Sequence, residues 1–202
     1  MVDAGGQLAE GLRRALDSPA EWIWLLDGSV APRAPALAAL LEALDRVDGI
    51  REPVVLAGVV LDPDGRVDES RAAAYRPSEI DIALTAVGRR LLPIRAVAGP
   101  ALLHRSAVAA ERRVPGGPPS PAATLELTAR LLARGTGYLV PESEGDALAA
   151  IRDPLAEPRT VARLVGASGF RPVDRVRFGY EFALRAATRV SALRRGDRPR
   201  VH

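Results

Sequence analysis

Asp27 is the carboxylate best placed to do chemistry in this 202-residue chain. It directly follows the apolar run Trp22 to Leu26 and precedes Gly28, Ser29, Val30, Ala31 and Pro32. A short apolar run closed by Asp-Gly reads as a buried strand and a turn. Open α/β sheets hold ligands just past the carboxyl ends of their strands, which is where Asp27 would stand. The alternative is a plain buried strand that ends in a turn. Asp62 and Asp64 also offer oxygen ligands for a cation, but Asp62-Pro63-Asp64-Gly65 reads first as a solvated turn. There Pro sets φ and Gly supplies φ > 0. The chain has no Cys, which excludes disulfides and thiolate metal sites, and its two His cannot make a His-rich site.

The elements that must position Asp27 follow from periodicity. Leu8, Leu12, Ala15 and Leu16 predict a helix over 7–16, stopped by Asp17, Ser18 and Pro19. Trp22 to Leu26 is the strand. Leu37, Leu40, Leu41, Leu44 and Val47 form one apolar stripe on a helix over 35–47, with Pro35 near its first turn. The run Val54 to Leu61, rich in β-branched residues, predicts a strand covered on both faces. Arg66 to Ser78 reads as loop, and Ser78 as the cap of a helix over 79–87, with a strand over 80–84 as the alternative. Gly99-Pro100 is a turn between the segments 91–97 and 101–104. The stretch 114–121, VPGGPPSP, is a flexible loop. Leu125, Thr128, Leu131 and Leu132 predict a helix over 124–132, and 135–141 a strand. Near the C-terminus a short helix over 160–165 and a longer one over 174–195 are expected. The second carries a stripe of Val176, Tyr180, Ala183, Ala187 and Val190.

Composition bounds the function. Hydrophobic residues make up 48% and aromatics only 4%, so the chain can bury a core, and that core is built from Leu, Val and Ala. All 28 basic residues are Arg, which reads as a coding bias and not as a binding device. From Arg171 to the end, nine Arg oppose Asp174, Glu181 and Asp197, a net +6; the overall +3 then leaves −3 for the first 170 residues. A basic amphipathic helix can lie on an anionic membrane, or can be a packing helix with a solvated Arg face. Nucleic acid is not an expected partner, because few aromatic residues interleave with the Arg. No apolar run reaches the ~20 residues of a membrane span. Met1 to Gly6 lacks the basic start and apolar run of a signal peptide. The expected location is cytoplasmic, with peripheral membrane association through the basic C-terminal helix as an option.

The stretch W-I-W-L-L-D-G-S-V-A-P, followed by the Leu-rich helix from Ala36, resembles the strand and metal loop of a family 2, GT-A-type glycosyltransferase. There W-x-W-L-L is followed by D-D-D or D-D-S, then x-x-P and a helix. Other stretches resemble the family in the same order. G-G-Q-L-A-E-G-L-R-R-A-L stands where the family has a G-x-x-x-G-x-N-x-G-L helix beneath the nucleotide, without a counterpart of the Asn. A-G-V-V-L-D-P-D-G-R-V resembles a G-x-x-x-D-x-x-G hairpin. V-A-G-P-A-L-L-H-R-S resembles the V-x-x-x-G-x-x-L-L-x-R-R segment that lines the donor and acceptor pocket. Glu126 to Arg130 matches the end of E-D-x-D/E-L-x-x-R, and G-T-G-Y-L-V-P the strand after it.

The resemblance implies a partial GT-A, Rossmann-like nucleotide-diphospho-sugar transferase fold, α/β with a mixed sheet and flanking helices. The implied activity is transfer of a sugar from a nucleotide-sugar to a glycan or lipid-linked acceptor. Mg²⁺ or Mn²⁺ would stabilise the diphosphate leaving group. Asp27 falls on the first aspartate of the cluster and is the implied metal ligand. Ser29 falls on the usual metal-ligand position, where a neutral hydroxyl is weaker than a carboxylate, so the metal site is weakened. Gly99 would allow close approach and Arg105 would lie on the polar side of the pocket, so that Asp27, Ser29, Gly99 and Arg105 form the binding set. The family's general base falls on Thr124, leaving Glu126 as the acid that could serve. The alternative for Glu126 is an exposed helix residue paired with Arg130 at i+4. The match runs from Gly5 to Glu142. It implies a core over 1–145 without the N-terminal nucleotide-binding half, and a basic helical extension over 146–202. That half is absent, supplied by another chain (a protein partner or a second copy), or lost in a fragment. A catalytically inactive scaffold in glycan or cell-envelope biosynthesis is the second reading, and a plain α/β domain with an accidental likeness the third.

Overall fold

The computed structural model describes residues 7–47, 52–68, 71, 91–148, and Arg159, Thr160, Ala162, Val176 and Ala183. Helix α1 spans Leu8–Leu16, strand β1 Trp22–Leu25, β2 Val30–Pro32, helix α2 Ala36–Arg46 and β3 Pro53–Leu61. Then come β4 at Leu92–Pro93, β5 at Ala101–His104, helix α3 at Arg105–Ala110, helix α4 at Pro121–Leu132 and β6 at Thr136–Ala147. The expected helix over 79–87 lies outside the described residues, as do most of the two C-terminal helices.

The strands form one mixed sheet in the order β1-β5-β3-β6-β2, with β4 also on β6. β5 is antiparallel to both β1 and β3, while β3 and β6 are parallel. Alternation along the strands assigns the two faces. Leu25, Val55, Ala57, Ala101 and Leu103 pack with Leu8, Leu12, Leu127 and Leu131, so α1 and α4 cover one face. Leu56, Leu102, Tyr138 and Val140 pack with Leu40, Ala43 and Val47 of α2 on the other, with Trp22 and Trp24 at the border. The molecule is thus α/β with a mixed sheet between flanking helices, and β3 is covered on both faces as its unbroken apolar run predicts.

β2 and α3 form where no strand or helix is expected, and β1 is a half-buried edge strand and not a buried one. Three further elements differ in face or extent from the sequence reading. The buried face of α2 is Ala36, Ala39, Leu40, Ala43 and Val47, while Leu41 is 45% exposed and Leu37 and Leu44 are only partly buried. Small alanines let the helix axis approach the sheet, so the contact face is rotated from the leucine stripe. Helix α4 starts earlier than expected, because Ser120 caps it by accepting from Ala123 N–H at 3.2 Å and Pro121 occupies the first turn. It is buried almost all round, from Ala123 to Ala129 and at Leu131 and Leu132.

Strand β6 is the third. It runs past Gly145, where the sequence reading ended the core, and pairs Asp146 with Ala31 and Ala147 with Val30. Its register on β3 jumps between Gly58↔Val140 and Val59↔Glu144, so Pro141, Glu142 and Ser143 bulge out. In the C-terminal region, Val176 and Ala183 of the expected apolar stripe are both exposed, Val176 at 70%.

A buried threonine clamps α4 to the segment before β5. Thr128 Oγ1 accepts from Val97 N–H at 3.0 Å and lies 2.9 Å from the Thr124 carbonyl, to which it can donate. Thr128→Val keeps the shape and leaves the buried Val97 N–H without its acceptor, at an expected cost of about 1–3 kcal/mol. Urea unfolding of Thr128→Val against Thr128→Ser checks this; equal midpoints would refute it.

Candidate functional site

Asp27 lies two residues past the end of β1, and Gly28 turns the chain there with φ +74°, a conformation open to glycine at little cost. Asp27 Oδ1 accepts from the Ser29 N–H at 3.0 Å and from the Ser29 hydroxyl at 2.5 Å. Ser29 Oγ in turn accepts from Arg71 Nη1 at 2.5 Å. Arg71 Nε donates to Asp68 Oδ2 at 2.9 Å, and the Arg71 side chain is fully buried. The backbone fixes this group: Asp68 N–H bonds to Val60 O, Arg71 N–H to Asp68 O, Ala98 N–H to Arg71 O and Leu148 N–H to Ser29 O. Asp27, Ser29, Asp68 and Arg71 are therefore one network, drawn from the ends of β1 and β3.

Gly99 belongs to the same end of the sheet. Leu25 pairs with Ala101, so Asp27 and Gly99 lie two residues beyond that pair on adjacent strands. Gly99 is buried, and a Cβ there would stand 3.1 Å from Val60 Cγ2. Arg105 is not at this end. It follows β5, six residues from Gly99, which at ~3.3 Å per residue is about 20 Å along an extended chain. Its Nη2 donates to the Leu16 carbonyl at 2.8 Å, and its N–H to Glu21 O, so it secures the end of α1. A strand separates Arg105 from the three other residues of the implied binding set.

Next to the turn, Arg33 pairs with Glu144 and with Asp146, the latter at 2.8 Å. Hydrogen bonding from Arg33 holds the Asp146 carboxyl below the usual aspartate range. Asp62 Oδ1 accepts from the N–H groups of Asp64 and Arg66 at 2.9 and 2.8 Å, and Gly65 has φ +76°. Asp62 thus shapes its own turn.

Glu126 and Arg130 form the i+4 pair on α4, with Nη2 to Oε1 at 2.8 Å. The pair is buried, not exposed as the structural alternative had it: the two side chains are 10% and 11% exposed. Thr124, at the position of the family's base, is fully buried and its Oγ1 has no hydrogen-bond partner. A carboxylate enclosed against a guanidinium is poorly placed to take a proton from an acceptor hydroxyl.

The Asp27 turn does not fit Mg²⁺ or Mn²⁺. One Asp27 oxygen is bonded twice, and the other is enclosed without a partner. The Ser29 hydroxyl is held by a carboxylate and a guanidinium. Hard cations take six or more oxygens, and Mg²⁺ keeps several waters. The adjacent Arg71 charge opposes a second cation.

Elsewhere, Glu21, Glu52 and His104 bring their ligand atoms within 4.8 Å of one another and could hold a metal ion. Sequence reading passed over Asp68, Arg71 and this triad. Nothing marks Arg71 for burial over Arg66 and Arg76 of the same polar stretch. The triad's one signal is that Glu21 and Glu52 directly precede the strands Trp22–Leu25 and Pro53–Leu61. No described helix is long and apolar enough to cross a membrane. Compared with protein-family models and with curated proteins, the chain matches none of them.

Proposed function

We propose that this chain is a family 2, GT-A-like glycosyltransferase relative that takes part in sugar transfer from a nucleotide-sugar to a glycan or lipid-linked acceptor. The observation that carries the reading is the end of β1. Asp27 follows the half-buried edge strand β1, turns through Gly28, lies beside Gly99 next to the neighbouring strand, and keeps one carboxylate oxygen without a donor. That oxygen is enclosed, so a ribose or sugar hydroxyl becomes its donor only when the turn opens around the ligand. Arg71 supplies positive charge where the family uses a metal, so ligand binding here does not call for Mg²⁺ or Mn²⁺.

Titration of UDP into the purified chain by calorimetry tests this. Binding is expected with or without Mn²⁺, and at least about tenfold weaker in Asp27→Ala, the loss of a charge-assisted hydrogen bond of ~1.5–3 kcal/mol. No binding, or equal binding by the variant, would overturn it.

The burial of Glu126 against Arg130 favours a second reading, in which this chain does not turn over sugar alone. It then acts as an inactive partner in glycan or cell-envelope synthesis. That reading expects no UDP-sugar turnover by the isolated chain and stable association with a complete transferase.

A further inference from the structure

We infer that Glu21, Glu52 and His104 form a binding site for a borderline divalent cation such as Zn²⁺, at the end of the sheet away from Asp27. The topology creates it. β5 is antiparallel to both its neighbours, so its last residue, His104, lies between the starts of β1 and β3, which Glu21 and Glu52 immediately precede. His104 Nε2 is 3.4 Å from Glu21 Oε1 and 3.9 Å from Glu52 Oε1. Ligand atoms around a tetrahedral Zn²⁺, each about 2.0–2.2 Å from the metal, lie about 3.4 Å apart. The glutamate side chains are 69% and 76% exposed, so they have the freedom to close the remaining gap.

The imidazole is already held. Its ring meets Trp22 edge-on with centroids 4.9 Å apart. Nδ1 accepts from the Ser106 N–H at 3.3 Å, capping α3, and lies 2.7 Å from Ser106 Oγ, while Nε2 faces the carboxylates. A metal on Nε2 would move the ring proton to Nδ1, which then donates to Ser106 Oγ. A metal-bound histidine commonly donates its other ring N–H to an outer-shell acceptor, and Ser106 Oγ stands where that acceptor is needed. Without a cation, two carboxylates face one imidazole, whose charge is at most +1. One imidazole with two carboxylates suits Zn²⁺ and related transition ions better than Mg²⁺, which prefers oxygen ligands. Three protein ligands leave at least one position open to water or a substrate oxygen.

The test is titration of Zn²⁺ into the untagged full chain near neutral pH, by calorimetry and by ¹⁵N spectroscopy of the histidine rings. One equivalent is expected to bind, with the His104 resonances moving to a pattern of metal on Nε2 and proton on Nδ1. Affinity is expected to fall at least about tenfold in Glu52→Gln, whose exposed side chain is not needed for folding, and further in His104→Gln. Mg²⁺ at the same concentration should leave the rings unchanged. Absence of binding at millimolar Zn²⁺, or binding unaltered in both variants, as at His202, would overturn the assignment. Neither result bears on UDP binding at Asp27.

Discussion

Gly58→Ala is expected to destabilise the protein by about 2–3 kcal/mol, the upper part of the range for forcing extra volume into a packed interior. Gly58 is the last residue of β3 in register with the first half of β6, and the bulge closes directly over it. A Cβ there would stand 2.6 Å from both the carbonyl oxygen and the hydroxyl of Ser143, and 3.2 Å from its Cβ. The hydroxyl could rotate away; the carbonyl could not, because it belongs to the backbone of the bulge. The strand would have to move off β3, carrying Glu144 and Asp146 away from Arg33 and loosening β2 beside the Asp27 turn. Ser143→Gly in the same chain should recover only part of the loss. Urea unfolding measures both effects, and a Gly58→Ala midpoint equal to that of the parent would show that the bulge does not pass this close.

Arg71→Met is the second large effect, with an expected loss of about 3 kcal/mol or more. Removing one partner of a buried ion pair leaves the other charge enclosed, and such losses run to ~3–5 kcal/mol. The side chains of Arg71 and Asp68 are 0% and 15% exposed, so solvent cannot take over the hydrogen bonds that the guanidinium makes. The variant also removes the donor to Ser29 Oγ, leaving that hydroxyl only its own bond to Asp27, and so loosens the turn. A double-mutant cycle with Asp68→Asn separates the pair from the packing, because the double variant should lose less than the two single losses added. Full additivity would refute the coupling. Arg71→Met should also weaken UDP binding, since it withdraws a positive charge that stands beside Ser29 and Asp68 in the turn network.

The sequence was legible wherever a local pattern meets one local answer. The apolar run before Asp27 reads as a buried strand; it is a strand, but at the sheet edge, where only Leu25 of its four residues is buried and the two tryptophans lie at the border of the core. The run Val54 to Leu61 reads as an interior strand, and it is buried on both faces. The turns at Asp27-Gly28 and Asp62 to Gly65 were written in residues that supply their own hydrogen bonds and positive φ. Those features, together with the α/β class, are properties of neighbouring residues and of spacing.

The site was decided by contacts between residues far apart in the chain. Arg105 reads as a neighbour of Gly99, yet β5 carries the two to opposite ends of the sheet. Arg71 reads as loop, yet the chain after β3 returns beneath Ser29 and buries its guanidinium. Glu126 reads either as the acid left to serve or as an exposed helix residue paired with Arg130, but α4 sits in the interior and encloses the two together. The leucines of α2 mark its apolar side, whereas the close approach of its alanines sets which face meets the sheet. Glu21, Glu52 and His104 carry no shared pattern at all. They meet because β5 runs antiparallel between β1 and β3, and strand pairing is a long-range choice made by the whole core, not by the residues it brings together.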